Sequence, residues 1–362
     1  MTIQLATKYE PYVDEVFKAI SKRDLISQAE FDFTGAKTIK LYKIGTADMT
    51  DYGRNSIAEG NWSHYGEVQT LDAITESLEL AKDRSFTFEI DKLDEDETNN
   101  NLAPATALNR QIREVVIPEV DTYAYKKIVN NAGMRKAQKL TSTNIYDEIL
   151  FASAELDDEE IPEENRFLLV TPNTYKLMKQ CDDIVLDTDI GQEIKSKGVI
   201  GMLDGAYVIK VPANRLPNNF GFLMGHPQAI AIPVKLQDYK IHTDPAGLSG
   251  SLVEGRINYD AFVLENKITA LYYDTLPLEV AEDEVSLTIA GGASDPIAIY
   301  NAIGTVTGTC SDSKIKITIA NGKVTFEAES GATAGTTVVT LTDTVSTETI
   351  STCTVTLTVA SA

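Results

Sequence analysis

The chain has 362 residues, about twice a usual single domain, so two or more folding units are expected. Apolar residues at 43% suffice for real cores and exclude disorder of the whole chain. With 54 acidic against 32 basic side chains the net charge is −22, which excludes coating nucleic acid or anionic lipid by global charge and leaves only a local basic patch open.

Tyr12, Val13, Val16, Phe17 and Ile20 fall on one face at helical spacing and predict a helix over Tyr9 to Ser27. This opening lacks the basic flank and apolar core of a signal peptide, and no apolar run in the chain approaches the roughly 20 residues that span a bilayer. Lys37 to Tyr42 and Ser85 to Ile90 alternate polar and apolar residues, as strands do. Between them, 45–67 is dotted with Gly, Asp and Asn and holds the only tryptophan, Trp62. A stretch of that length without its own core usually has a job, and one such job is to lie on a neighbour.

From Ala103 a long helical pattern begins, with Leu108, Ile112, Val115 and Val116 on one face, then Val120, Tyr123, Ile128 and Val129. Pro118 removes a backbone donor there, so a kink or restart is expected. Ser142-Thr143-Asn144 caps a helix over Ile145 to Ala154, Arg166 to Thr171 is a buried strand, and Pro172 starts a helix ending near Cys181. Further strands are expected at Gly205–Val211, Ala229–Val234, Tyr239–His242 and Ile257–Tyr273, the last broken at Glu265-Asn266-Lys267. The mixture is α+β, without the βαβ beat of a Rossmann or barrel enzyme.

Composition changes near residue 280. The acidic segment 277–283 reads as a linker, and after it, in 284–362, Ser and Thr make up about a third of the residues. Period-two alternation recurs at Lys314–Ile319, Lys323–Glu327, Thr337–Leu341 and Cys353–Val359, and Asn321-Gly322 is a strong hairpin signal. A small all-β two-sheet sandwich follows.

Signatures of chemistry are missing: no G-x-G-x-x-G after a strand, G-x-x-x-x-G-K-[ST], H-E-x-x-H or G-x-S-x-G occurs. Three histidines (His64, His226, His242) and three cysteines (Cys181, Cys310, Cys353) are too few and scattered for a zinc cluster. Cys310 and Cys353 read as a reduced pair in the sandwich. Asp91, Asp94 and Asp96 offer oxygen ligands, but the twelve-residue calcium loop with its central glycine is missing. The run 91–97 therefore reads as a solvated face or as salt contacts with a neighbouring subunit. No cofactor, metal or enzymatic activity is expected.

Several segments, in this order, resemble the major capsid proteins of tailed bacteriophages, the Hong Kong 97-like fold. They are Phe33-Thr34-Gly35-Ala36-Lys37-Thr38-Ile39, Asp51-Tyr52-Gly53-Arg54, Lys82 to Asp91, Asp94 to Thr98, Ile117 to Tyr123, Gly205 to Pro212, and Ile257 to Leu264. Residues 284–362 resemble a bacterial Ig-like domain. The resemblance implies a body over 1–276, with an N-terminal arm at 1–36, an extended loop at 37–90 and a spine helix at 103–137. It further implies an axial domain at 139–250, and strands at 255–275 that return to the peripheral domain. It places Arg54, Trp62, Asp91, Asp94, Asp96 and Glu97 on segments at subunit contacts.

The implied function is a capsid subunit forming hexamers and pentamers of an icosahedral phage head, assembled in the host bacterial cytoplasm. The implied partners are further copies of the chain, portal and decoration proteins, and packaged double-stranded DNA contacted non-specifically, with no membrane. Only about 36 residues precede the first strand, so a separate scaffolding protein rather than a large cleaved prosegment is expected. The alternatives are a surface-displayed, carbohydrate-binding adhesin, favoured by the tail, and an unrecognised hydrolase. The tail's own role stays open between weak glycan contacts, particle stability and a neutral appendage.

Overall fold

A computed structural model of the chain describes residues 21–28, 31, 33, 38–54, 63–66, 69–71, 73–97, 103–184, 199–345 and 348–361. The predicted helix over Tyr9 to Ser27 lies mostly outside these residues. Its described end is a 3-10 turn at Arg23–Leu25, after which the chain is tethered to the body. Ile26 is buried in the main core, Ser27 Oγ donates to the Ile230 carbonyl, and the Gln28 amide donates to that of Pro227.

Strands β1 (Thr38–Ile44) and β2 (Ala73–Glu79) form an antiparallel hairpin, Thr38 opposite Glu79 and Ile44 opposite Ala73. Ser85–Ile90 is a strand, as its alternation predicts. It lies in β3 (Lys82–Asp91), which joins a different sheet, while the weakly alternating AITESLE closes the hairpin. A six-residue helix α1 (Lys92–Glu97) follows.

The spine is one continuous rod of α2 (Pro104–Gln111), a π-helical turn at Ile112–Val116 and α3 (Ile117–Asn130). The π turn widens the backbone ladder immediately before Pro118, which has no N–H to give, so the proline is absorbed without ending the rod. The spine stops seven residues short of the expected position 137. Gly133 donates to the Ile268 carbonyl (2.9 Å), so close that a Cβ would sit 2.6 Å from that oxygen, and Met134–Ala137 is strand β4.

Next come α4 (Ile145–Asp158), β5 (Phe167–Val170) and α5 (Pro172–Gln180), the last capped by Thr171 Oγ1 on the Thr174 amide (3.0 Å). They are followed by β6 (Val199–Leu203), β7 (Ala206–Lys210), β8 (Phe220–Gly225), β9 (Ile230–Ala231), β10 (Val234–Thr243) and β11 (Gly250–Tyr259). The body closes with β12 (Phe262–Val263), a 3-10 segment at Glu265–Ala270 where the break was expected, and β13 (Leu271–Thr275).

The central sheet has the order β4-β13-β8-β5-β7-β6. One face carries a core with Tyr125, Ile128, Phe167, Leu223 and Tyr273, and the other packs Ile149, Leu156, Leu168, Phe222 and Met224. A second sheet, β10-β11-β3, lies along the spine. The strands at 255–275, expected to return beside the spine, divide between two sheets. The first half, in β11, pairs with β3, whereas β13 enters the central sheet between β4 and β8. Alternation in β11 suits a sheet covered on one face, and the all-buried LYYDT of β13 suits a sheet covered on both.

The tail is a sandwich of two four-stranded sheets around Leu287, Val324, Phe326, Val339, Leu341, Val355 and Leu357. Its strands are β14 (Glu279–Val280), β15 (Glu284–Thr288), β16 (Ile297–Tyr300), β17 (Thr305–Cys310), β18 (Ile315–Ala320), β19 (Lys323–Ala328), β20 (Gly335–Val345) and β21 (Glu348–Ala360). Asn321 and Gly322, at φ 52° and 71°, turn β18 into β19 as expected. All three cysteines are free. Cys310 and Cys353 flank β20, opposite Val339 and Leu341, so two strand spacings, about 9.5 Å, separate them and preclude a bond.

The segment 277–283, expected as a linker, is built into the sandwich. Leu278 is buried in its core, β14 pairs with β16, the Ala281 amide donates to the Ala298 carbonyl, and Asp283 O accepts from the Thr356 amide. Its acidity suggested solvent, but Leu278 and Val280 alternate with polar residues as a strand must.

Candidate assembly surfaces

The root of the hairpin is packed and its outer half is bare. At the root, Ile39, Leu41, Leu78 and Leu80 meet Phe33, Phe262 and Leu264. Farther out, Tyr42 is 77% exposed, Ile44 68%, Ile74 68% and Met49 fully exposed. Two strands alone are marginal in water, and monomers rarely leave that much apolar surface uncovered without using it.

Asp260 is the hub that roots the hairpin. Fully buried, it accepts from the Ala81 amide (2.9 Å) at the β2–β3 corner, from Tyr123 Oη (2.9 Å) and Lys127 Nζ on the spine, and from the Ala261 amide (2.7 Å). Burial, then the hydrogen bond to Asp260, pushes the Tyr123 hydroxyl well above its usual range, so it stays a donor. A second tie crosses from β3 to the spine, Arg84 Nε to Glu119 Oε1 at 2.6 Å. Sequence reading missed both. Arg84 and Glu119 lie 35 positions apart and Asp260 lies 137 from Tyr123, so no local spacing signals them.

The loop tip folds on itself. Tyr52 packs edge-on against Tyr65 (5.1 Å between ring centroids), the Gly53 amide donates to the His64 carbonyl (2.9 Å), and Thr50 Oγ1 donates to that of Tyr65 (2.9 Å). Arg54 is exposed at this tip. Trp62 lies outside the described residues. Asp91 ends β3 opposite Gly250, and Asp94, Asp96 and Glu97 are exposed on α1. The chain thus places Arg54 and the acidic run on separate surfaces, one at the loop tip and one at the end of the three-stranded sheet. Among the described residues no cluster of His, Cys, Asp or Glu is arranged to hold a metal.

The solvent face of β10-β11-β3 forms a trough of about 510 Å³ lined by Ser85, Thr87, Asp238, Lys240, Glu254 and Arg256. Its charged groups are paired with close neighbours. Arg256 grips Asp83 with two bonds (2.9 and 2.6 Å), Lys240 meets Asp238 (2.7 Å), and His242 meets Glu254 (3.1 Å). The bonds from Arg256 hold the Asp83 carboxyl below its usual range. These charges are tied to each other rather than converging on a common point where a substrate would react, so the trough is suited to docking rather than to acid–base chemistry. The Phe86 ring lies against Gly255, where an added Cβ would come within 2.3 Å of the ring.

No protein-family model matches the chain, and no curated protein matches it. Solved structures do. One from Mycobacterium phage Che8 is similar at a TM-score of 0.57 and 17% identity, over 75% of this chain and 96% of that one. The capsid structure of Cyanophage P-SCSP1u gives 0.57 and 16%, over 75% and 92%. The asymmetric unit of the bacteriophage PhiM1 mature capsid gives 0.56 and 11%, over 76% and 92%. The chain therefore has, over about three quarters of its length, the fold seen in phage capsids.

Proposed function

We propose that the chain is the major capsid subunit of a tailed phage, a structural protein rather than an enzyme. In this reading, copies associate as hexamers and pentamers that close into an icosahedral head around double-stranded DNA. Two observations carry it: the bare outer half of the hairpin, whose apolar side chains need a partner, and the fold that about three quarters of the chain shares with phage capsid structures. Closed symmetry lets one such patch meet the same complementary surface at every contact. The net charge of −22 suits a wall that touches packaged DNA without gripping it. Assembly takes place in the host cytoplasm with a separate scaffolding protein, a portal and decoration proteins. Arg54, Trp62, Asp91, Asp94, Asp96 and Glu97 face neighbouring subunits, and the sandwich stands on the outer surface.

Sedimentation of the full chain, co-expressed with its scaffolding partner, tests this. Fast-sedimenting shells are expected, and a Tyr42→Ser, Ile44→Ser, Ile74→Ser variant should stay as folded small species. Shells from that variant at the wild-type yield would refute the role given to the hairpin, and an absence of shells from the unaltered chain would refute the capsid reading.

A further inference from the structure

We propose that the C-terminal sandwich is locked onto the body as a brace and does not hang from a tether. The lock is the loop Asn301–Gly304, which leaves the sandwich between β16 and β17 and reaches back to the body. Ile303 at its tip packs against the body's main core, the cluster that contains Phe220 and Tyr273. The loop is held in that posture from behind. Asp343 on β20, only 1% exposed, accepts from the Ile303 amide (2.8 Å) and the Gly304 amide (2.9 Å), one with each carboxylate oxygen. A buried carboxylate with two backbone donors is a stiff fixture, since releasing either amide would leave buried polar groups unpaired.

Asn219 and Asn301 knit the seam. The Asn219 carbonyl accepts from the Leu276 amide (2.8 Å), Thr275 Oγ1 (2.9 Å) and Tyr273 Oη (3.2 Å), drawing the end of β13 onto the start of β8. Asn219 Nδ2 donates to the Asn301 carbonyl (3.5 Å), and Asn301 Nδ2 donates to that of Pro277 (2.9 Å). On the other side Leu278, three residues past β13, is buried in the sandwich core, and its amide donates to Ser351 Oγ (2.9 Å). The crossing is therefore hydrogen-bonded from Thr275 to Leu278, with no free hinge among its residues.

The brace also sits where the body needs cover. β4 is the outermost strand of the central sheet, paired only with β13, and β21 runs beside it. An exposed sheet edge invites pairing with other chains, and a folded domain placed along it removes that hazard. The inference concerns this chain alone and does not depend on the capsid reading.

Amide hydrogen exchange on the full chain tests it, comparing wild type with Ile303→Asp and Asn301→Ala. Exchange at the Leu276 amide and across Phe220–Gly225 should rise by about tenfold or more in Ile303→Asp, because the plug is lost and the seam opens locally. A smaller rise is expected in Asn301→Ala, which removes the side-chain bond to Pro277 but keeps the plug. Amides of β18 and β19, remote from the seam, should keep wild-type protection in Asn301→Ala and so report an intact sandwich. Calorimetry of the wild type should show body and sandwich melting together. Unchanged exchange at Leu276 in both variants, or two separate wild-type transitions, would overturn the proposal.

Discussion

The extended hairpin and the C-terminal sandwich are both antiparallel β structure, and they solve burial in opposite ways. The sandwich turns its alternating Val, Ile and Leu inward onto a second sheet, so Phe326, Leu341 and Leu357 are wholly buried within one chain. The hairpin has no second sheet. Its root rests on Phe262 and Leu264, and past Tyr42 its apolar residues face solvent. A region that completes its own core needs no other chain to bury it, whereas one that leaves half its core open is shaped for something outside the chain. The same contrast separates the residues that hold each region. The sandwich depends on side chains inside it, and the hairpin depends on Asp260, which lies outside it.

The largest effects should come from those anchoring residues. Asp260→Ala leaves Lys127 and Tyr123 facing a void, and is expected to lower stability by about 3–5 kcal/mol, as removal of one partner of a buried ion pair does. Phe326→Ala should cost a similar amount, about 3–5 kcal/mol, by opening a cavity in the sandwich. Urea unfolding measures both. If Asp260→Ala behaved like a surface change, the hairpin would be held by something other than this hub.

A pH dependence of intermediate size should arise in the body. Asp274 on β13 is fully buried, neither carboxylate oxygen has a hydrogen-bond partner, and Oδ1 lies against Gly221. Burial first, then the charge of Glu148, pushes its carboxyl from 3.8 up to about 8, against a smaller pull from Lys136. The folded state thus holds this proton more tightly than the unfolded chain. Its contribution is fully present below about pH 4 and is lost as pH rises to about 8. Urea midpoints between pH 5 and pH 8 should decline for the wild type, and Asp274→Asn should flatten that decline. An equal decline in the variant would place the proton elsewhere.

The smallest effects on the lone subunit belong to the hairpin surface. Tyr42→Ser should change its stability by no more than about 0.5 kcal/mol, since that ring is 77% exposed. Arg84→Ala, which loses a half-exposed pair with Glu119, should cost about 0–1 kcal/mol. Arg54→Glu should leave the circular dichroism unchanged while reducing particle yield. A large loss of monomer stability in Tyr42→Ser would show that the hairpin closes on its own chain, and the contrast with the sandwich would fail.

How much of this was legible in the sequence follows the range of the interactions. The sandwich was readable because its signals are local: Asn321-Gly322 specifies a turn, and alternation over Ile315–Ala320 and Lys323–Ala328 specifies two strands and their buried faces. The spine was readable from helical periodicity, although the π turn that absorbs Pro118 was not, because a proline inside a helical pattern is compatible with several local solutions. The hairpin's return strand was missed because Ala73–Glu79 lies mostly in solvent, which removes the alternation that marks a half-buried strand. Asp260, Asp343 and the Arg84–Glu119 tie were invisible for a different reason: each joins residues 35 or more positions apart. The acidic 277–283 misled because composition reports exposure on average, while Leu278 alone decides where the segment is anchored. Of the expected contact residues, Arg54, Asp91, Asp94, Asp96 and Glu97 are solvent-facing in the single chain, as a contact surface requires, but exposure is shared by many residues that touch nothing.

In the proposed capsid, the bare half of the hairpin is covered by another copy of the chain. Electron cryo-microscopy of the full-length protein, purified with its scaffolding partner, tests it most directly. Closed shells are expected, with Tyr42, Ile44 and Ile74 buried against an adjacent subunit. Shells in which those three side chains still face solvent, or a preparation holding only single subunits, would contradict it.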